Sequence, residues 1–102
     1  MTEPDLIKAI QQQCDTLKTV LVRKNTDYGA SAFSRPALAP GVEPTTAILV
    51  RMSDKIARLN NLQTAEKPNY EAIEDTILDL AGYAILLLVA RQNCKKDESN
   101  DN

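Results

Sequence analysis

Apolar residues recur along this chain at intervals of three and four, in three separate stretches. Ile7, Ile10, Cys14, Leu17 and Leu21 make the first stripe, and this spacing is that of a one-sided helix. Thr2 is placed to cap it, Pro4 suits its first turn, and Asp5 stands where a capping box needs an acid. The pattern predicts a helix from about Glu3 to Lys24, ending at Asn25. A second stripe, Leu49, Met52, Ile56, Leu59 and Leu62, predicts a helix from Pro44-Thr45 to Gln63 or Thr64. The third begins after Pro68-Asn69 and runs to about Asn93 on Ile73, Ile77, Leu80, Ala84, Leu87 and Leu88. No stretch alternates with the period of a strand. The expected fold is all-α: three main helices, with a long loop between the first and second.

The third stripe is widened by Leu78, Ala81 and Ile85, and so broad an apolar surface needs cover on more than one side. Two neighbouring helices from the same chain supply only part of it. The expectation is therefore a homo-oligomer, most simply a dimer, packed as a helical bundle. One domain over residues 1–94 is expected, followed by a polar, frayed tail from Lys95 to Asn102. The connection from Asn25 to Pro44 holds two of the three glycines and three of the five prolines. Irregular connections of that length are often binding loops, the bland alternative being a surface excursion or an arm on a neighbouring subunit.

Composition narrows the chemistry. Twelve basic residues against fourteen acidic ones leave no cationic surplus for coating a nucleic acid polymer. There is no histidine, which removes imidazole as base, as metal ligand and as partner of a serine or cysteine nucleophile. Any metal would be a hard ion held by carboxylates, with magnesium the leading candidate. Cys14 and Cys94 are too few for a disulfide framework; Cys14 continues the first stripe and is expected as a small core residue in a reducing cytoplasm. The N-terminus lacks signal-peptide form, and the longest apolar run, Ala84 to Ala90, is too short to span a bilayer.

Charge is concentrated where the second and third helices would meet. Arg51, Asp54, Lys55 and Arg58 share one face of the second. Glu71, Asp75, Asp79 and Tyr83 share one face of the third, with Glu74 and Gly82 close by. A short connection makes these helices antiparallel neighbours, and folding about its centre sets Arg58 level with Asp75, Asp54 with Asp79 and Arg51 with Gly82. Two readings follow. In one, these are interhelix ion pairs: Arg58 with Asp75, and Lys55 or Arg51 with Asp79. In the other, three cations against one acid on the second helix await an anion, since Arg51 and Lys55 one turn apart repel. A glycine inside a helix costs about 1 kcal/mol relative to alanine, and Gly82 marks a close approach by a ligand or by another helix. At the first helix's end, Lys24, Asn25, Asp27 and Tyr28 read either as a stop and turn or as ligand contacts, and Arg35 is a further candidate anion contact. Phe33 is expected to anchor the loop into the core.

Three ordered blocks carry a resemblance. Lys24-Asn25-x-Asp27-Tyr28-Gly29-x-Ser31, Arg51-x-x-Asp54-Lys55-x-x-Arg58-Leu59 and Asp75-Thr76-x-x-Asp79-Leu80-Ala81-Gly82-Tyr83-Ala84 together resemble the nucleotide-modification-associated helical domain of phages and bacteria, first type. The resemblance covers most of Leu17 to Leu88. It implies a small all-α phage or prophage protein in the cytoplasm of a bacterial host, connected with nucleotide metabolism. More distantly, the chain is similar to the all-α nucleoside triphosphate pyrophosphohydrolases of the MazG and dimeric dUTPase kind. That similarity would assign Glu71, Glu74, Asp75 and Asp79 to magnesium. It departs at Arg51-x-x-Asp54-Lys55, where those enzymes carry an acidic pair. Cations there neutralise phosphates without activating water, which turns the expectation from hydrolysis towards binding.

The expected function is thus binding of a phosphate-bearing nucleotide or nucleotide-derived signal, including sequestration of a host defence messenger, with no cofactor. Arg51, Lys55, Arg58 and Lys24 would meet phosphates. Asn25, Asp27 and Tyr28 would read base or ribose. Asp75, Asp79 and Tyr83 would orient the cations or bond hydroxyls, and Asp54 is counted among the ligand-binding residues. A magnesium-dependent pyrophosphohydrolase and a purely structural bundle are the alternatives.

Overall fold

The computed structural model describes residues 1–28 and 33–100, and side chains for 1–26 and 33–92. Three helices follow in order: α1 (Glu3–Tyr28), α2 (Pro44–Gln63) and α3 (Tyr70–Asn100). Among the described residues there is no strand. The all-α expectation is met. The chain divides into two compact units, Met1–Ser31 and Ala32–Asn102.

The first unit is α1. Its start is built as its sequence implies: the Asp5 amide donates to Thr2 Oγ1 at 3.3 Å, and the Thr2 hydroxyl donates to Asp5 Oδ2 at 2.7 Å. Its end differs from expectation. The helix passes Asn25 and reaches Tyr28, because polar side chains here bond back within it. Asn25 Nδ2 donates to the Leu21 carbonyl at 3.2 Å and Thr26 Oγ1 to that of Val22 at 3.0 Å. Lys24, Asn25, Asp27 and Tyr28 are therefore helical rather than the opening of a loop. Cys14 is a second correction. It is a free, exposed thiol, as Ile7 and Ile10 on the same stripe are exposed. Periodicity shows which positions share a face, not whether that face meets a partner.

In the second unit, residues 33–43 form a run of turns leading into α2. Ala39 N donates to the Pro36 carbonyl and Val42 N to that of Ala39. Arg35 clamps this run: Nη1 donates to the Pro40 carbonyl at 3.2 Å, and Nη2 meets Glu43 Oε1 at 2.9 Å. Glu43 then holds the extended backbone of an N-cap, with Pro44 in the first helical turn. A proline there gives up an amide that would lack an intrahelical partner in any case. Phe33 is half-buried. At the other end of α2, Thr64 N and Thr64 Oγ1 both donate to the Asn60 carbonyl. Asn69 Oδ1 caps α3 by accepting from the Ala72 amide at 3.1 Å.

The helices α2 and α3 pack on each other. Two cross-links fix their register: Lys55 with Asp79, and Arg58 with Thr76. Three residues forward on α2 correspond to three back on α3, so the pair is antiparallel, with partner numbers differing by one from those expected by folding about the loop centre. That register sets Ile48 level with Leu86 and Pro44 level with Ala90. Ile48 is fully buried, and Leu86 and Ala90 are buried with it. The helix α3 continues through Lys95 to Asn100, beyond the expected stop near Asn93. Among the described residues, no helix is long and apolar enough to cross a membrane.

Candidate functional site

The antiparallel register brings the two charged stripes of the second unit together: of the pairs expected, Lys55 with Asp79 forms and Arg58 with Asp75 does not. Lys55 Nζ lies 3.3 Å from Asp79 Oδ2, both side chains a little over a quarter exposed. Such a part-solvated pair contributes roughly 0.2–1 kcal/mol. Of the two readings of these charges, the ion-pair reading is realised here. Asp54, set level with Asp79 by the sequence, is exposed instead. One residue of register is about 1.5 Å along the axis but 100° around it, enough to exchange an acid for its lysine neighbour.

Arg58 does not meet Asp75. Its Nε–H donates to Thr76 Oγ1 at 3.3 Å, and the Thr76 hydroxyl donates onward to the Ala72 carbonyl at 2.7 Å. Thr76 is only 2% exposed, so the hydroxyl is a fixed acceptor set into the helix contact. It holds the guanidinium at its inner nitrogen. Among the described residues no carboxylate meets the two outer nitrogens of Arg58, and none meets Arg51. Arg51 is half-buried on the same side of α2, and the register places Tyr83, also half-buried, level with it. Gly82 is buried.

The carboxylates are dispersed. Glu71, Glu74 and Asp75 are exposed on α3, and Asp79 is engaged with Lys55. Among the described residues no three such side chains are grouped so that they could hold a metal ion. Arg35, expected as an anion contact, is instead committed to Glu43 and the Pro40 carbonyl; a partner eight residues away could be recognised only once the turns between them were known. On α1, Asn25 spends its amide on its own helix, and Lys24 also has a partner. The side chains of Asp27 and Tyr28 lie outside the described residues. Thr76 is the residue the sequence reading passed over. Its signal was position: it shares with Ala72, Asp79 and Tyr83 the face of α3 turned to α2.

No protein-family model, no curated protein and no solved structure matches this chain. The family resemblance accordingly rests on its three sequence blocks.

Proposed function

We propose that this chain is an α-helical binder of a phosphate-bearing nucleotide or nucleotide-derived signalling molecule, acting as a homo-oligomer. One observation carries the reading. Arg58 is held at Nε by the buried Thr76 hydroxyl while its outer N–H groups have no carboxylate among the described residues. A guanidinium oriented from behind presents a planar pair of donors, the geometry that suits a phosphate. Arg51 adds a second cation that no acid meets among the described residues, on the same helix, and Lys55 is balanced by Asp79 between them. The chain as a whole is slightly acidic, with a formal charge of −2, so these two arginines do not belong to a generally basic surface. Tyr83, level with Arg51, supplies an aromatic face suited to a base.

Binding without turnover fits these residues better than hydrolysis, because Asp79 is neutralised by Lys55 and the other acids stand apart. In a phage, such a protein would sequester its ligand, including a messenger of host defence. The test is a thermal shift against nucleoside mono-, di- and triphosphates, cyclic dinucleotides and ADP-ribose, each with and without magnesium. A ligand at a hundred times its dissociation constant adds about 2.7 kcal/mol, which in a domain this small raises Tm by on the order of 10 °C. The expected result is such a rise with a subset of these compounds. No rise with any of them, or release of pyrophosphate on turnover, would overturn the binder.

A further inference from the structure

The cations of α2 are not equivalent. Leu49 and Ile56, about half exposed, lie about 80–100° around the helix from buried Ile48 in one sense. Lys55, Arg51 and Arg58 lie in the other sense, at about 20°, 60° and 80° respectively. Arg51 and Arg58 are seven residues apart, which sets them about 10 Å apart along the axis and within about 20° of one line. Lys55 falls between them and closest to α3, where its Nζ lies 3.3 Å from Asp79 Oδ2. Asp54 stands about 40–60° further round than the arginines, exposed to solvent.

Between the two arginines, then, the position nearest α3 holds an acid as well as a base. The Asp79 side chain is 28% exposed, so its carboxylate acts on whatever approaches Lys55. A linear polyphosphate joins its phosphates through single bridging oxygens. It is too compact to serve Arg51 and Arg58 together without laying charge across the centre, where Asp79 repels it at short range. Arg58 is restrained from swinging inward, because its Nε donates to the buried Thr76 hydroxyl. A ligand whose anionic groups are set apart by a nucleoside meets each arginine separately and leaves uncharged atoms over the centre.

We infer that Asp79 sets the selectivity of the proposed site, admitting nucleotides with single phosphates at two separated positions and turning away linear triphosphates. This rests on the binding reading above and adds the class of ligand. Discrimination between ligands comes as much from repulsion of the wrong one as from attraction of the right one. Asp79 supplies the repulsion, and Lys55 keeps its carboxylate in place. The role is opposite in sign to that of a metal ligand or a hydroxyl contact. Loss of the carboxylate would weaken binding in either of those roles, whereas here it strengthens binding of the excluded class.

The test is titration calorimetry of the full chain, without magnesium, against the 5′-triphosphates and the 3′,5′-bisphosphates of the common ribonucleosides. Wild type should bind a bisphosphate at least about tenfold more tightly than the triphosphate of the same base. Asp79→Asn, which keeps the size of the side chain and removes its charge, should raise triphosphate affinity about tenfold and bisphosphate affinity less. Asp79→Ser repeats the measurement should asparagine disturb the helix contact. Adding Lys55→Met to Asp79→Asn should abolish the gain, a dependence that a merely structural Asp79 would not show. Equal wild-type affinity for the two classes, or triphosphate affinity unchanged or lowered in both Asp79 variants, would overturn the selectivity and leave the binder intact. Absence of binding by every bisphosphate would also overturn it, and the thermal-shift panel then decides whether the binder falls as well.

Discussion

Thr76 and Arg58 show how one buried hydroxyl can decide what a surface cation does. Left to itself, an arginine on an exposed helix face samples many rotamers, and ordering it costs on the order of 2 kcal/mol of side-chain entropy. Here the Thr76 oxygen, itself fixed by its bond to the Ala72 carbonyl, holds Nε and removes part of that cost before any ligand arrives. Thr76→Val should therefore change unfolding free energy by no more than about 1 kcal/mol, since the freed Nε–H can turn to water. It should weaken nucleotide binding on the order of tenfold, read by titration calorimetry against wild type. Equal affinities would show that Thr76 is only a packing residue. The sequence displayed Arg58 and its stripe but not this anchor. A threonine on a helix is read as neutral until the facing residue is known.

At the scale of elements, α2 and the start of α1 were legible because their signals are local. Pro44, the capping pair Thr2 and Asp5, and the intervals of three and four all act within one or two turns. The end of α1 was not, since Lys24-Asn25 resembles a stop signal while Asn25 and Thr26 in fact bond back to carbonyls one turn earlier. The pairing of Arg35 with Glu43 was hidden for a similar reason: it needs the intervening turns. The α2/α3 register was legible to within one residue, enough to foresee Lys55 with Asp79, but that residue moved Arg58 from the expected Asp75 to Thr76. What holds the pair is apolar contact more than charge. Ile48, with none of its surface exposed, should cost roughly 2–5 kcal/mol when cut to alanine. Lys55→Met should cost less than about 1 kcal/mol, as befits a part-solvated ion pair. Urea unfolding monitored by circular dichroism separates the two, and a larger loss at Lys55 than at Ile48 would reverse this ranking.

For the molecule as a whole, the hairpin has two dissimilar sides, one with arginines that no acid meets among the described residues and one with half-exposed aliphatics. The sequence conveyed both as patterns, a charged stripe and an over-wide apolar helix, without showing that they face opposite ways. That opposition follows only from the observed register and the handedness of the helices. The proposed ligand site lies on the cationic side. The most direct measurement is titration calorimetry of the strongest thermal-shift nucleotide into wild type and into an Arg51→Ala/Arg58→Ala variant of matching helical content. Loss of two charge-assisted contacts predicts at least about a 100-fold fall in affinity. Equal affinity in the double variant, or no binding by the wild type, would contradict it.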